Sequence, residues 1–396
     1  MVIICDISAW QYWRCPPLIR KGKTPIDIAC APKEQGGLGL DRKLLTPRTN
    51  AREADLLLST RILSDLKGIE LPVHVMLDRT APRRSNNLVT CHRPPDWLAR
   101  EHIIDIGNGL GVLSIPAMLE TLGRRFGPFD IAGAMNELCG TYTLFHQTAQ
   151  AKLLLNPLLE NGTIKKLATR QTDIIRFFCD ESGKKASFTT KKGKELPWQP
   201  TLTKSATLDN LWKRPPLVTL DELEIFTSRH PRSKGSVVYE TAFNLAREGL
   251  ASPFETQLAM VLTAPSHLGG EELPIPSFNR KIAFTEAARK LAGGKYCVSD
   301  AVWHESRAVL EANGYDYHTD DDGFYTKSGR TSALQSLGYT VHEINYAQFK
   351  DQIQYEAIVR SICSSIGIDE QTRTKTFKER NGALRKYLLG KNRLWS

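Results

Sequence analysis

Through the first 150 residues, short runs in which apolar and polar positions alternate give way to stretches with a helical period. This pattern predicts strands interleaved with helices. LPVHVML (71–77), NLVTCHR (87–93) and HIIDIG (102–107) read as strands. DISAWQYWR (6–14) reads as a capped helix whose Trp10 and Trp13 fit core positions better than a base-stacking platform. SIPAMLETLGRRFG (114–127) starts at a Ser114 cap with Pro116 in the first turn, and GPFDIAGAMNELCGTY (127–142) is a second amphipathic helix stopped at Gly140.

From about 160 to 214 the texture changes to a polar, Lys- and Thr-rich stretch punctuated by Pro. Within it, GKKASFTTKKGKELPW (183–198) reads either as a solvated loop or as a two-stranded basic arm for nucleic acid. Helical periodicity returns in three pieces between 219 and 265. The last begins at Ser252, with Pro253 in its first turn, Glu255 three residues after the cap, and Phe254, Leu258, Val261 and Leu262 as its apolar stripe. A strand around RKIAF (280–284) and a short helical TEAARKLAGG (285–294) lead to a strand pair, YCVSDAVW and RAVLEANG, joined near His304–Ser306. TKSGRTSALQSLG (326–338) is then a helix and YTVHEI (339–344) a strand. With the short helix set aside, the order from 252 is α-β-β-β-α-β.

The strand pair poses a chemical question, because Asp300 and Glu311 interrupt good strand sequence. Alternation places Asp300 with Tyr296, Val298 and Val302, and Glu311 with Arg307, Val309 and Asn313. A carboxylate turned inward costs free energy unless it is paired, hydrogen-bonded or metal-bound. If the strands pair, the two carboxylates lie side by side and call for a cation, and hard oxygen donors select Mg²⁺ or Mn²⁺. The competing arrangements are a solvated sheet edge or ion pairs with Arg307 or Arg330. On the next helix Lys327, Arg330, Leu334 and Leu337 share one face. With the leucines on the sheet, both cations lie over the carboxylate end, an arrangement suited to a phosphodiester. Glu255 has two readings, one as a reciprocal capping box with Ser252 and one as a catalytic carboxylate. His318 orders the loop after the second strand or takes part in the chemistry. TDDDG (319–323) lacks the spacing and terminal Glu of a calcium loop and reads as a solvated turn.

Composition narrows the classes. The 396 residues suggest two or three domains, and 41% hydrophobic with 24% charged residues is ordinary globular usage. The absence of a long apolar run or a leader pattern leads to an expectation of a cytoplasmic protein with no membrane partner. Eight cysteines without CxxC or CxxH spacing argue against a zinc ribbon or a disulfide framework. The net charge of +10 suits a phosphate-bearing partner.

The elements quoted above, with LEANGYDYH and RTSALQSLGYTVHEI, resemble the Vsr-like branch of the PD-(D/E)XK nuclease superfamily. GLASPFET, LGGEELPIPSFN and YCVSDAVWHE resemble that branch as it occurs fused behind an AbiEi-type module, the regulatory antitoxin of an abortive-infection system. PVHVML, SIPAMLETL and ELCGTYTL resemble the AbiEi-type module itself. The resemblance implies an α/β protein with an α+β N-terminal module over 1–150 and a restriction-endonuclease-like core with a mixed sheet over 246–350, while the residues themselves give a basic insertion and helical connector over 151–245 and a basic helical tail over 351–396. It implies Asp300, Glu311 and Glu255 as metal ligands, with Arg330 and His318 toward the substrate phosphate. Asn313 stands where many members have a lysine, so Lys327 either takes over that role or the domain binds without cleaving. The implied activity is Mg²⁺- or Mn²⁺-dependent DNA cleavage in bacterial defence or mobile-element control. The alternative is an AbiEi-type DNA-binding regulator. The implied partners are DNA and either a second copy of the chain or a defence-system protein.

Overall fold

The computed structural model describes residues 1–21, 66–77, 85–107, 109–169, 198–229, 233–314, 321–390 and 393–395. The basic stretch at 183–197 and His318 lie outside them. The chain is mixed α/β, with three sheets.

The first sheet has the order β3-β2-β1-β5-β4, formed by β1 (Val2–Ile4), β2 (Val73–Met76), β3 (Val89–His92), β4 (Ile103–Gly107) and β5 (Leu110–Leu113). The central β1 runs parallel to β5 and antiparallel to β2. Every residue of β5 is buried, so that strand carries no alternation to announce it. Helices α1 (Asp6–Arg14), α2 (Ile115–Leu122) and α3 (Pro128–Cys139) pack on this sheet through Trp10, Met118, Ile131 and Met135. Trp10 and Trp13 are packing residues, and their indole N–H groups donate to the carbonyls of Leu394 and Leu113.

A second, antiparallel sheet joins β6 (Tyr142–Leu144), β7 (Gln199–Leu202) and β8 (Leu208–Lys213) in the order β6-β8-β7. The polar texture of 160–214 therefore conceals two strands. The apolar residues Trp198 and Trp212 anchor them against Cys15, Ile19, Phe145 and Leu155. Arg14 pairs with the wholly buried Glu137 at 2.8 Å, and the same carboxylate accepts from Thr143 Oγ1 and Leu144 N. That one side chain ties α1, α3 and β6 together.

Beyond α4 (Lys234–Leu245) comes the α-β-β-β-α-β order: α5 (Pro253–Thr263), β9 (Ser277–Ala283), β10 (Tyr296–Trp303), β11 (Ala308–Asn313), α7 (Asp321–Ser336) and β12 (Thr340–Asn345), with the short α6 (Glu286–Ala292) after β9. The sheet order is β12-β11-β10-β9, with β12 parallel to β11 and the other pairs antiparallel. One face buries Cys297, Val302 and Val309 under Leu334 of α7. The other face joins Ala301, Trp303 and Leu310 to the core shared with α5 and the N-terminal sheet.

Two local expectations change. Arg307 lies in the turn before β11, not on the strand, with a left-handed φ of +48° and Nη1 donating to Leu337 O. The turn expected at TDDDG is in part helix, because the backbone of α7 is already helical at Asp321. The six described cysteines are free thiols, five of them buried. Among the described residues no helix is long and apolar enough to cross a membrane.

After α8 (Gln352–Ile366) and α9 (Lys375–Leu388) the chain returns to the N-terminal helices. Trp395 is buried against α3 so closely that a Cβ on Gly133 would lie 2.0 Å from its Nε1. Gly133→Ala is expected to lower the urea midpoint by an amount equivalent to about 1–3 kcal/mol, the usual range for overpacking. An unchanged midpoint would mean that the C-terminal segment does not seat there.

Candidate active site

Strand pairing brings two of the carboxylates together. The last β10–β11 partners toward the open end are Ala301 and Leu310, so the next positions outward are Asp300 and Glu311. The ladder changes there, because Ala312 N–H donates to Asp300 Oδ2 at 2.7 Å. On the opposite side of β10, Asp300 and Asn279 fall in a gap in the β9 pairing, and Asn279 takes φ +48°. Strict alternation does not survive this irregularity, because Cys297 and Val302 share one apolar cluster although five positions apart. Sequence period alone therefore placed Asp300 too simply. It stands at a kink in the alternation, beside Asn279, in a ladder whose register does not shift.

Glu255 approaches from α5. Ser252 Oγ caps that helix by accepting from Glu255 N at 3.2 Å, which is half of the expected capping box. The other half differs, because Glu255 Oε2 accepts from Ala251 N at 2.9 Å and from Asn279 Nδ2 at 2.5 Å rather than from Ser252 N. Asn279, which periodicity did not mark, thus links the helix carboxylate to the kink beside Asp300. Its left-handed conformation is one that Asn tolerates better than most residues.

The electrostatics follow from burial. Burial first, then the charge of Asp300, pushes Glu255 up to about 8. The same two causes push Glu311 up to about 8, with Arg330 pulling the other way. Burial also raises Asp300, against the Ala312 N–H and Arg330. Asp300 is thus the shared neighbour through which three like charges crowd one another.

One guanidinium answers this charge. Arg330 Nη2 lies 2.7 Å from both oxygens of Glu311 and also donates to Val298 O. Arg330 therefore holds a carboxylate, as one of the competing arrangements required. Lys327 lies on the same side of α7, but its Nζ pairs with Glu343 Oε2 at 2.6 Å, and Asn313 Nδ2 donates to the same oxygen at 3.1 Å. Glu343 was missing from the sequence reading. β12 is parallel to β11 and sets Glu343 beside Glu311 in register, a placement that only the sheet order reveals.

Asp300, Glu255 and Glu311 offer hard oxygen donors, the chemistry that Mg²⁺ and Mn²⁺ require, and the hydrogen bond to Asp300 leaves Oδ1 available. They do not yet form a tight cradle. Among the described residues, the group of three acidic, His or Cys side chains whose ligand atoms all lie within 4.8 Å of one another is Asp6, His74 and His92, in the first sheet. For a cation to be shared by Asp300 and Glu311, Arg330 must release Glu311.

The fold and site together define a mixed α/β chain with a cluster of one buried and two half-buried carboxylates, one of them held by an arginine. No family model, curated protein or solved structure matches the chain.

The raised carboxyls give a pH signature with a definite sign. The folded chain keeps protons on Glu255 and Glu311 that the unfolded chain, at the ordinary value of 4.5, has released. Their contribution to stability is thus complete below that value and is lost as pH rises through about 8. Glu255→Gln removes one of these protonations. Its melting temperature relative to wild type is expected to climb between pH 5 and 9, roughly the window that these pKa values span. A pH-independent offset would mean that Glu255 titrates normally.

Proposed function

We propose that the chain is a metal-dependent DNA endonuclease of the PD-(D/E)XK kind, closest to the Vsr-like branch, acting in bacterial defence or mobile-element control. The observation that carries this reading is the convergence of Asp300, Glu311 and Glu255, from β10, β11 and α5, at one end of the sheet, where burial raises all three and the charge of Asp300 raises Glu255 and Glu311 further. Such crowding is the mark of a site built to hold a cation. The α-β-β-β-α-β order and the net charge of +10 support the same conclusion.

A bound Mg²⁺ or Mn²⁺ would lower the pKa of a water and offset the charge on the scissile phosphate. Asp300 and Glu311 would hold it directly, and Glu255, fixed by Ala251 and Asn279, would complete the set through a water. Arg330, once released from Glu311, carries a planar cation suited to a phosphate. Lys327 stands one helical turn from Arg330 and takes the part of the absent strand lysine, with Asn313 and Glu343 fixing its position.

A second reading has its own support. Both oxygens of Glu311 are occupied by Arg330, and Lys327 is paired with Glu343, so neither cation faces a substrate. An AbiEi-type DNA-binding regulator whose nuclease-like domain does not cleave would keep those pairs closed.

Cleavage assays separate the two. Asp300→Asn and Glu311→Gln are expected to abolish Mg²⁺- or Mn²⁺-dependent cleavage while leaving DNA binding within a few-fold of wild type. Lys327→Ala is expected to slow cleavage by roughly 10²–10³, the usual cost of losing one preorganised charge. If wild-type protein binds DNA and cuts neither single- nor double-stranded substrate with either ion, the endonuclease reading fails and the regulator reading replaces it.

A further inference from the structure

The first sheet carries a second constellation of donors, far in sequence from the carboxylate cluster and of different chemistry. Asp6 opens α1 one residue past β1, His74 lies in β2, and His92 ends β3. β2 and β3 are parallel, with His92 paired to Met76, so the two histidines are diagonal neighbours two positions apart and share a face. Their ring planes are 23° apart with centroids at 5.0 Å, and His74 Nδ1 lies 2.9 Å from His92 Nε2. The antiparallel pairing of β1 with β2 brings Asp6 to the same place, through the bond from Cys5 N to His74 O. One ligand atom from each of the three residues lies within 4.8 Å of the other two.

Contacts from outside fix the Asp6 carboxylate and the backbone of His74. Asp6 Oδ1 accepts from Ile7 N and from Arg125 Nη1, both at 2.7 Å, which leaves Oδ2 outside either bond. The backbone N–H of His74 donates to Ser8 Oγ at 2.9 Å, which holds the strand that carries the imidazole. Outer partners such as the Arg125 and Ile7 donors on Asp6 hold metal ligands in orientation. Two imidazole nitrogens at hydrogen-bond distance require a single proton between them, and that proton sits where a cation would be shared. A tetrahedral ion with bonds of ~2.1 Å separates its ligand atoms by about 3.4 Å, so the histidine pair needs to open by only about half an ångström.

We propose that Asp6, His74 and His92 form a Zn²⁺ site with three protein ligands and one open position. Two imidazoles and one carboxylate suit a borderline divalent ion, whereas the all-oxygen cluster of Glu255, Asp300 and Glu311 suits a hard one. The chain would then hold two chemically distinct ion sites. The N-terminal one stands whether or not the C-terminal one cleaves DNA.

The test uses the full-length chain freed of metal by chelation. Zn²⁺ affinity is read by competition with a chelating dye, and geometry by the visible absorption of added Co²⁺. Wild type is expected to bind one Zn²⁺ at this site and to show the intense Co²⁺ bands of four-coordination. His74→Ala and His92→Ala are expected to weaken Zn²⁺ by more than the roughly 10–100-fold that loss of an outer partner costs. Asp6→Asn, nearly the same shape, guards against a folding artefact, and each variant is checked by its melt in chelator. His267→Ala, on an exposed histidine elsewhere, is expected to bind as wild type does. Equal Zn²⁺ affinity in wild type and in folded His74→Ala and His92→Ala would overturn the proposal, as would weak Co²⁺ bands typical of six-coordination.

Discussion

The crowding of three carboxylates away from water, Glu255 buried and Asp300 and Glu311 half-buried, is the constraint around which the C-terminal half is organised. Asp300 cannot be ionised inside the sheet end without raising its neighbours, and Glu255 and Glu311 are both raised by it. The Ala312 and Ala251 amides, Asn279 and Arg330 supply the compensating donors. Even together they do not bring Glu255 or Glu311 back to the ordinary carboxylate range. Glu255 and Glu311 therefore keep their protons up to about pH 8, and a divalent ion that displaced those protons would supply the positive charge that Arg330 supplies in the state described.

The rest of the fold holds that cluster still. β10 and β11 are covered on both faces, by α7 on one side and by the core shared with α5 and the N-terminal sheet on the other. Because α5 belongs to both the site and the shared core, Glu255 is positioned by packing that extends to β1. The buried pair of Arg14 with Glu137 and the return of Trp395 to Gly133 fasten the N-terminal helices on which that core rests. Truncating one member of such a buried pair leaves an uncompensated charge, so these contacts constrain the fold more sharply than apolar area alone.

Much of this was legible in the sequence where period and chemistry agreed. The order α-β-β-β-α-β, the neighbouring strands of Asp300 and Glu311, and the shared face of Lys327 and Arg330 follow from alternation and helical spacing. What escaped has a common physical origin in contacts between segments distant along the chain. β1 is three apolar residues and β5 is buried throughout, so neither alternates in sequence. β7 and β8 sit in polar sequence and are recruited by Trp198 and Trp212. Glu343 enters only because β12 lies parallel to β11, and the Asn279 kink that reorients Asp300 needs a positive φ that no period reveals. His74 and His92 looked like ordinary strand residues until the register of β2 and β3 set them diagonally.

The most direct test of the central claim is a crystal structure of the chain grown with Mn²⁺, examined in anomalous difference maps. The account predicts a peak between the Asp300 and Glu311 carboxylates, with oxygen–metal distances near ~2.1–2.2 Å and the Arg330 guanidinium displaced from Glu311. A map with no peak there, and with Arg330 still bound to both oxygens of Glu311, would contradict it.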